Sequence, residues 1–369
     1  MRNYELSISS DYVPTWGVVE AVREFFQNAL DGETADSGNK MFFDYDESKE
    51  VLRIGNKHGK LDHRTLLFGY TDKNENANMI GNHGEGYKIA TVVLLRLNKQ
   101  IVFYNYGCRE VWRPRFVNSR RYGVKVPTFF VDDKHFWEKV PDDDLVIEIT
   151  GITKEEYDQI VESNLHLQGY KGDVETRYGY ILSDKYKGKI FVGGLYICSD
   201  PRLDIGLNFN PDVVSLERDR SMVNSFDVQW YASRMIEQTG DIDRIEHSLS
   251  GYSGQYISID YLSSDIADEI ARKFLEENGY DAIPVSDESD KRFLSSRNTV
   301  IVSRSKRDII NRSSFFASHS TASSDEVSTL YSKFCEFGKK YSRLWSDSAV
   351  DEYVKLIKQV RDLEDKLDD

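Results

Sequence analysis

Two polar side chains, Glu24 and Asn28, lie four residues apart in a stretch with helical periodicity. The spacing i, i+4 places them on the same side of a helix. An amide oxygen can bind Mg²⁺, and a neighbouring carboxylate can orient or deprotonate an attacking water. Asp31 falls on the same arc, within about 60°. This face therefore predicts a site for metal-assisted hydrolysis.

A second candidate for chemistry is the glycine-rich segment Gly81-Asn82-His83-Gly84-Glu85-Gly86. Glycine lets backbone N–H groups approach a phosphate without a Cβ in the way. An apolar helix is predicted to begin near Tyr87, so its positive end adds to an anion site, and Lys88 supplies a full charge. Each signal alone is weak, but together they predict a nucleoside triphosphate site.

The first of these groups needs a helix to position it. Thr15 is a suitable N-cap for the run WGVVEAVREFFQNALD, and Gly32 suits a left-handed C-terminal stop. The opposite face of this helix is apolar and carries Val18, Val22, Phe25, Phe26 and Ala29. We therefore expect one face to pack and the other to present polar groups.

Strand-like segments surround these helices. KMFFDYD and EVLRIGN flank a turn at Glu47-Ser48, and the second leads into a loop from Gly55 to Gly59. Four more segments rich in β-branched and aromatic residues follow: QIVFYNY, EVWRPRFV, VPTFFVD and DLVIEIT. The pattern predicts an α+β sandwich, with helices on one face of a mixed, mostly antiparallel sheet.

The pattern changes near residue 155, where we place the end of the first domain, 1–155. Residues 156–225 contain a helix (KEEYDQIVESN), a strand (KIFVGGLYI) and the segment PDVVSLERDR, and are expected to form a second α/β domain. Residues 226–369 are predicted to be mainly helical, with a mixed α/β segment around 280–311 and a loop at 313–324. An apolar seam from Val350 to Leu367 fits core packing or self-association.

Composition narrows the class of protein. The 369 residues are 40% apolar and 30% charged, which is typical of a soluble globular chain. There is no run of about eighteen apolar residues and no apolar core for a signal peptide, so we expect a cytoplasmic protein with no membrane partner. The cysteines, Cys108, Cys198 and Cys335, are too widely spaced for a disulfide framework and are interpreted as buried thiols.

The net charge of −14 disfavours nucleic acid as a partner at long range. One local exception is the stretch 109–125, REVWRPRFVNSRRYGVK, in which six basic residues stand against the single acid Glu110. Either a solvated loop or strand edge, or a local contact with nucleic acid, fits this pattern.

The order E-x-x-x-N-A-x-D, then a strand ending in I-x-N, then I-G-x-x-G-x-G, resembles the GHKL superfamily over roughly residues 10 to 150. Its members include gyrase-type topoisomerases, heat-shock chaperone ATPases, MutL proteins, microrchidia ATPases and histidine kinases. The resemblance implies a Bergerat-type fold that binds ATP and Mg²⁺. Glu24 would be the general base, Asn28 the magnesium ligand, and the loop with Gly81, Gly84, Glu85 and Gly86 the phosphate lid.

The resemblance also extends to four further positions. Lys88 matches a lysine after the glycine loop of some relatives, and Lys73, in F-G-Y-T-D-K, looks like the lid entry of microrchidia-type ATPases; a solvent-exposed loop charge is the alternative for Lys73. Arg218 and Arg220 look like the chaperone segment that sends an arginine to the γ-phosphate, or form a surface salt-bridge cluster.

One position departs from the family pattern. Asn56 stands where the family has the Asp that accepts from the adenine amino group, and Gly59 matches the last glycine of a loop about one residue short. An Asn carbonyl can still accept from that amino group, and its NH₂ can donate to a ring nitrogen. The resemblance therefore supports a nucleoside triphosphate as the ligand more directly than it supports adenine as the base.

Two functions remain open at this stage. The first is a slow ATPase whose lid closure drives a conformational or dimerisation switch on an unidentified protein partner, with a homodimer as one form of it. The second is a nucleotide-gated interaction or inhibitor protein with negligible hydrolysis. A DNA-associated ATPase acting through 109–125 is a minor third. The absence of a recognisable phosphoacceptor helix or cleavage domain disfavours a histidine kinase and a topoisomerase subunit.

Overall fold

The computed structural model describes residues 2–67, 85–133, 143–201, 203–214, 216, 225–250, 256–288 and 298–320, with 337, 345–346, 349–350 and 352–357. Contacts divide the chain into two compact units, Met1–Asp200 with Gly206–Ser225 and Pro201–Ile205 with Phe226–Asp369. The domain boundary at residue 155 stays a prediction.

A seven-stranded sheet forms the centre of the first unit. Its strands are β1 (Arg2–Glu5), β2 (Met41–Asp46), β3 (Val51–Asn56), β4 (Gln100–Asn105), β5 (Glu110–Asn118), β6 (Lys125–Asp132) and β7 (Leu145–Thr150). The order is β1-β6-β5-β4-β7-β3-β2, and all neighbours run antiparallel. The six strands predicted from sequence are confirmed, whereas β1 was not predicted.

Two helices, α1 (Val18–Ala35) and α2 (Gly86–Arg96), pack on one face of this sheet. Because strand side chains alternate, one face of the sheet supplies the core. The core joins Phe25 of α1 and Val92 of α2 to Ile54, Phe103 and Trp112 of the strands, all at most 1% exposed. The predicted α+β sandwich is confirmed.

The ends predicted for α1 are wrong at both termini. The N-cap is Gly17 rather than Thr15, and the Gly17 N–H donates to the Glu20 carboxylate at 2.8 Å. Gly32 does not stop the helix, which continues to Ala35. A Cβ on Gly32 would lie 3.1 Å from Nδ2 of Asn56, so this glycine allows close approach of β3 rather than a left-handed turn.

A second sheet follows α3 (Lys154–Glu162) and belongs to the same unit. It contains β8 (Val174–Thr176), β9 (Gly179–Leu182), β10 (Lys189–Val192), β11 (Leu195–Ser199) and β12 (Gly206–Phe209), in the order β11-β10-β12-β9-β8. The single strand predicted for KIFVGGLYI is wrong. Gly193 and Gly194 have φ of 56° and 78° and form a two-residue hairpin turn between β10 and β11.

The described part of the second unit contains helices and a short pair of strands, while the extent of the region predicted as 226–369 stays a prediction. These elements are α4 (Ser225–Glu237), α5 (Ile242–Ser250), α6 (Ser264–Asn278), β13 (Ile283–Val285), β14 (Thr299–Ile301), α7 (Arg304–Arg312) and α8 (Ser314–His319). The parallel pair β13 and β14, with α7, lies in the segment predicted to be mixed. The loop predicted at 313–324 is wrong for α8, because Ser313 caps that helix at the Phe316 N–H and also donates to Asp268.

Short 3₁₀ turns cover Glu47–Lys49, His63–Leu66, Tyr106–Cys108, Asp184–Tyr186 and Ile259–Tyr261. The interpretation of the cysteines as buried thiols is wrong for Cys108, which is exposed in the turn before β5. Cys198 is half-buried, and Cys335 lies outside the described residues. Among the helices described, none is long and apolar enough to cross a membrane.

Gly55 gives a direct test of this sheet. A Cβ there would lie 1.9 Å from the Leu145 carbonyl oxygen on the neighbouring strand, and that backbone cannot yield without breaking the ladder. We expect Gly55→Ala to lower the free energy of unfolding by about 3 kcal/mol, measured by urea denaturation.

Gly107→Ala is the matched control, because its nearest atom, the Asp143 carbonyl oxygen, lies at an ordinary 3.4 Å. Its effect should stay within about 0.5 kcal/mol. Equal stability of the Gly55→Ala and Gly107→Ala proteins would contradict the pairing of β3 with β7.

Candidate functional site

The polar face of α1 is buried rather than solvated. Glu24 is 2% exposed and Asp31 is 1% exposed, while Asn28 is half-buried. Nε of Arg23 lies 3.7 Å from Oε1 of Glu24, and the Arg23 guanidinium also donates to the Tyr196 carbonyl at 3.0 Å. A carboxylate is buried only where charge or hydrogen bonds compensate the loss of water. The surroundings of Glu24 and Asp31 therefore favour polar or charged groups on this face of α1.

The start of α2 lies directly against Glu24. A Cβ on Gly86 would come within 2.2 Å of Oε2 of Glu24, which only a residue without a side chain avoids. The structure therefore brings together two residues that lie 62 positions apart in the sequence, the helix carboxylate and the last glycine of the G-x-x-G-x-G segment.

The first turn of α2 presents backbone donors. In the part of the chain that is described, no side chain caps this helix at Glu85, the N-cap residue, which is 6% exposed. The N-terminal N–H groups of a helix lack intrahelical partners, and the helix dipole adds positive potential there. This end of α2 can therefore bind an anion such as a phosphate.

Lys88 has a different position from the one the sequence suggested. Its side chain is fully buried, and Nζ donates to the Leu67 carbonyl at 2.6 Å. Leu67 is the last described residue before the glycine-rich segment, so Lys88 ties the entry of that segment to α2. Its predicted contact with a phosphate stays a prediction.

Asn56, at the end of β3, is held in one orientation. Nδ2 donates to the Ala29 carbonyl at 2.7 Å and to the Asn39 carbonyl at 2.9 Å. Both amide hydrogens are therefore used, so the predicted donation from this NH₂ to a ring nitrogen is not available in this arrangement. Oδ1 accepts no hydrogen bond from the described residues, so the group that Asn56 offers to a ligand is an acceptor.

The short loop after Asn56 is fixed to the start of β7. Lys57 pairs with Asp144 at 2.6 Å, and the His58 ring hydrogen-bonds Asp143 and holds the pKa of that carboxyl below its usual value. His58 has φ of 56°, a conformation that glycine adopts most easily. Gly59 lies beneath Asn56, where a Cβ would be 3.0 Å from the Asn56 Cβ.

Asp31 borders a different space from Glu24. It lines a cavity of 290 Å³ whose walls include Leu30 and Thr34 of α1, His166, and Asn208 of β12. Neither Glu24 nor Asn56 is among the residues that line this cavity. Asp31 therefore lies on the side of α1 that faces the second sheet.

Several predicted site residues lie outside the described residues: Lys73, Gly81, Gly84, Arg218 and Arg220. Two neighbours of Glu24 were missed, Arg23 and Gln27, which are 8% and 2% exposed. Helical periodicity could have indicated them, because both fall on the part of α1 between the apolar face and Glu24. Within the described residues no group of three or more His, Cys, Asp or Glu could hold a metal ion.

The assignment of Asn28 as a magnesium ligand stays a prediction. Mg²⁺ keeps several waters and is commonly bound through one or two protein oxygens together with substrate phosphates.

No protein-family model and no curated protein matches this chain. It is similar to the ATPase region of Saccharomyces cerevisiae topoisomerase II bound to ICRF-187 (dexrazoxane), with 12% identity and a TM-score of 0.27, over 43% of this chain and 46% of that one. A second structure of that region gives 12% identity and a TM-score of 0.27, over 44% and 47%. The chain thus matches less than half the length of these structures, and at this level the likeness carries no argument about function.

The two donor bonds of Asn56 predict the effect of replacing its amide by a carboxylate. In Asn56→Asp, a carboxylate would face the Ala29 and Asn39 carbonyl oxygens. We expect the free energy of unfolding at pH 7 to fall by about 1–3 kcal/mol, measured by urea denaturation.

Burial and the two carbonyls would raise the pKa of an acid at this position, so its neutral form is favoured in the folded state. The loss of stability should therefore grow as pH rises above the unfolded pKa of about 3.9 and be smaller at about pH 4. Asn3→Asp, an exposed change on β1, is the control. An Asn56→Asp protein as stable as the control at pH 7 would contradict the described orientation.

Proposed function

We propose that this chain binds ATP with Mg²⁺ between α1 and the N-terminus of α2, as a GHKL-type ATPase. The observation that carries the proposal is the contact of Glu24 with Gly86, where a Cβ would lie 2.2 Å from the carboxylate. It places a buried carboxylate beside backbone donors of the first turn of α2, which no side chain of the described residues caps. A phosphate site beside a potential base is the arrangement that hydrolysis of a phosphoanhydride needs.

Each element of the site then has a role. Asn28 holds the magnesium, Glu24 orients and accepts a proton from the attacking water, and the N–H groups of Gly86 and its neighbours bind phosphate oxygens. Oδ1 of Asn56 accepts from the amino group of the base, while its NH₂ stays bonded to the chain. Magnesium, when bound, neutralises charge on the phosphates.

We further propose that the segment with Gly81 and Gly84 closes over the nucleotide, and that closure changes how the chain binds a protein partner or a second copy of itself. Gly81 and Gly84 lie outside the described residues, and the bond from Lys88 to the Leu67 carbonyl holds the last described residue before them against α2. Closure of a segment onto a phosphate is a common conformational switch, and it predicts slow turnover.

A nucleotide-gated binding protein with negligible hydrolysis is the second candidate. It is favoured by the Arg23 guanidinium 3.7 Å from Oε1 of Glu24, because a carboxylate drawn towards a buried cation is less available to a water. Calorimetry with ATP, beside a phosphate-release assay, separates the two candidates, since only the ATPase releases phosphate.

The role of Glu24 is tested by Glu24→Ala. We expect phosphate release to fall by about 10²–10⁴-fold, while ATP binding measured by calorimetry is retained. Chelating magnesium should abolish turnover in the unchanged protein. Glu33→Ala on the same helix is the control, because Glu33 pairs with Lys40 at the surface. Undiminished phosphate release from Glu24→Ala would remove Glu24 from the base role.

Gly86→Ala tests the contact itself. The new Cβ would meet only the end of the Glu24 side chain, which is flexible, so the carboxylate is displaced while the fold is kept. Alanine also favours a helix by about 1 kcal/mol over glycine. We expect unchanged or slightly higher stability in urea, with phosphate release reduced at least about tenfold. Full activity in a stable Gly86→Ala protein would contradict the proposed site.

A further inference from the structure

The stretch 109–125 carries six basic residues whose side chains have no counter-ion among the described residues. Arg109, Arg113, Arg115, Arg120, Arg121 and Lys125 are all exposed. None of these six side chains makes an ion pair or a hydrogen bond with the described part of the chain. Two make cation–π contacts only, Arg115 over Phe130 at 4.0 Å and Arg121 over Tyr122 at 5.3 Å.

Several exposed or half-buried cations elsewhere in the same unit are paired. Arg53 pairs with Glu148 at 2.8 Å, Lys40 with Glu33 at 2.6 Å, and Lys189 with Glu162 at 2.6 Å. In a chain of net charge −14, acids are abundant, so six unpaired cations in one stretch form a local positive surface.

Asp132 of β6 is half-buried on the same outer face, opposite Val111, and Asp133 beside it is exposed, but the six cations outnumber these two acids. Glu110 is 6% exposed and accepts from Arg2, from His63 Nε2 at 2.9 Å and from Trp112 Nε1 at 2.9 Å. On the neighbouring strands, Glu5 of β1 accepts a hydrogen bond from Ser119 at 2.8 Å, and Glu148 of β7 is paired with Arg53. The outward charge of β5 is therefore positive.

The cations follow a strand face rather than a single loop. Side chains of β5 alternate between the two faces of the sheet. Trp112 and Pro114 are buried, so Arg113 and Arg115 lie on the opposite face, away from the helices. Arg113 is paired across strands with Phe130, and the half-buried ring of Tyr104 lies on the same outer face. From Arg109 to the loop at 119–124 the strand spans about 30 Å, at roughly 3.3 Å per residue.

We propose that this outer face of β4, β5 and β6 binds single-stranded nucleic acid. A positive track interleaved with accessible aromatic rings is the arrangement that holds phosphates and stacks unpaired bases. Five of the six cations are arginine, which binds phosphate in a bidentate manner and stacks on flat rings. Among the described residues, β4, β5 and β6 are joined by short turns and no α-helix lies between them to enter a duplex groove.

The test is fluorescence anisotropy of the full chain with a labelled oligothymidylate of about 20 nucleotides, between about 50 and 200 mM salt. We expect saturable binding that weakens with salt. The double variant Arg113→Glu, Arg115→Glu should bind at least about tenfold more weakly, and losing two phosphate contacts should reduce the log–log salt slope by about 1.4.

The control variant Lys154→Glu, Lys185→Glu makes the same change in net charge at exposed positions of the same unit and should bind within about twofold of the unchanged protein. Arg113→Lys, Arg115→Lys keeps the charge and should fall between the two, which separates binding from a folding defect.

The proposal is overturned if the oligonucleotide does not bind, or if charge reversal at Arg113 and Arg115 has no more effect than the control. It is also overturned if duplex DNA or vesicles containing phosphatidylserine compete better than the single strand. The oligonucleotide experiment contains no ATP, so its outcome does not affect the proposal that the chain binds ATP.

Discussion

The close approach of α1 and α2 at Glu24 and Gly86 is the constraint on which the site depends. A carboxylate at 2% exposure must be compensated, and the N-terminus of α2 and the Arg23 guanidinium, 3.7 Å from Oε1, both add positive potential near it. Only glycine at position 86 permits this distance. Packing of the two helices on one sheet therefore sets the geometry of the chemistry.

The same packing gives the amide of Asn56 a structural role. This amide is a donor to the Ala29 carbonyl on α1 and the Asn39 carbonyl before β2, so it joins the end of β3 to the helix that carries Glu24. Gly32 lacks a side chain at the point where that amide meets α1. A carboxylate could not make these bonds, whereas the remaining oxygen of an amide can still accept from a ligand.

Much of the fold could be predicted because its signals are local. Alternating apolar residues marked β2 to β7, and helical periodicity marked α1 and α2. Glycines were the main source of error, since their local meaning is ambiguous. Gly32 was interpreted as a helix stop but allows contact with Asn56, and Gly193-Gly194 was placed inside a strand but forms a turn. Arg23 and the orientation of Asn56 depend on residues distant in sequence, so no local pattern revealed them.

Amide hydrogen exchange of the full chain, with and without Mg-ATP, tests the central claim most directly, because it reports where the nucleotide lies without depending on turnover. The account predicts slower exchange at the first turn of α2, residues 86–89, and in the segments around Glu24 to Asn28 and Ile54 to Gly59. Protection confined to other parts of the chain, under conditions in which calorimetry shows ATP to be bound, would contradict it.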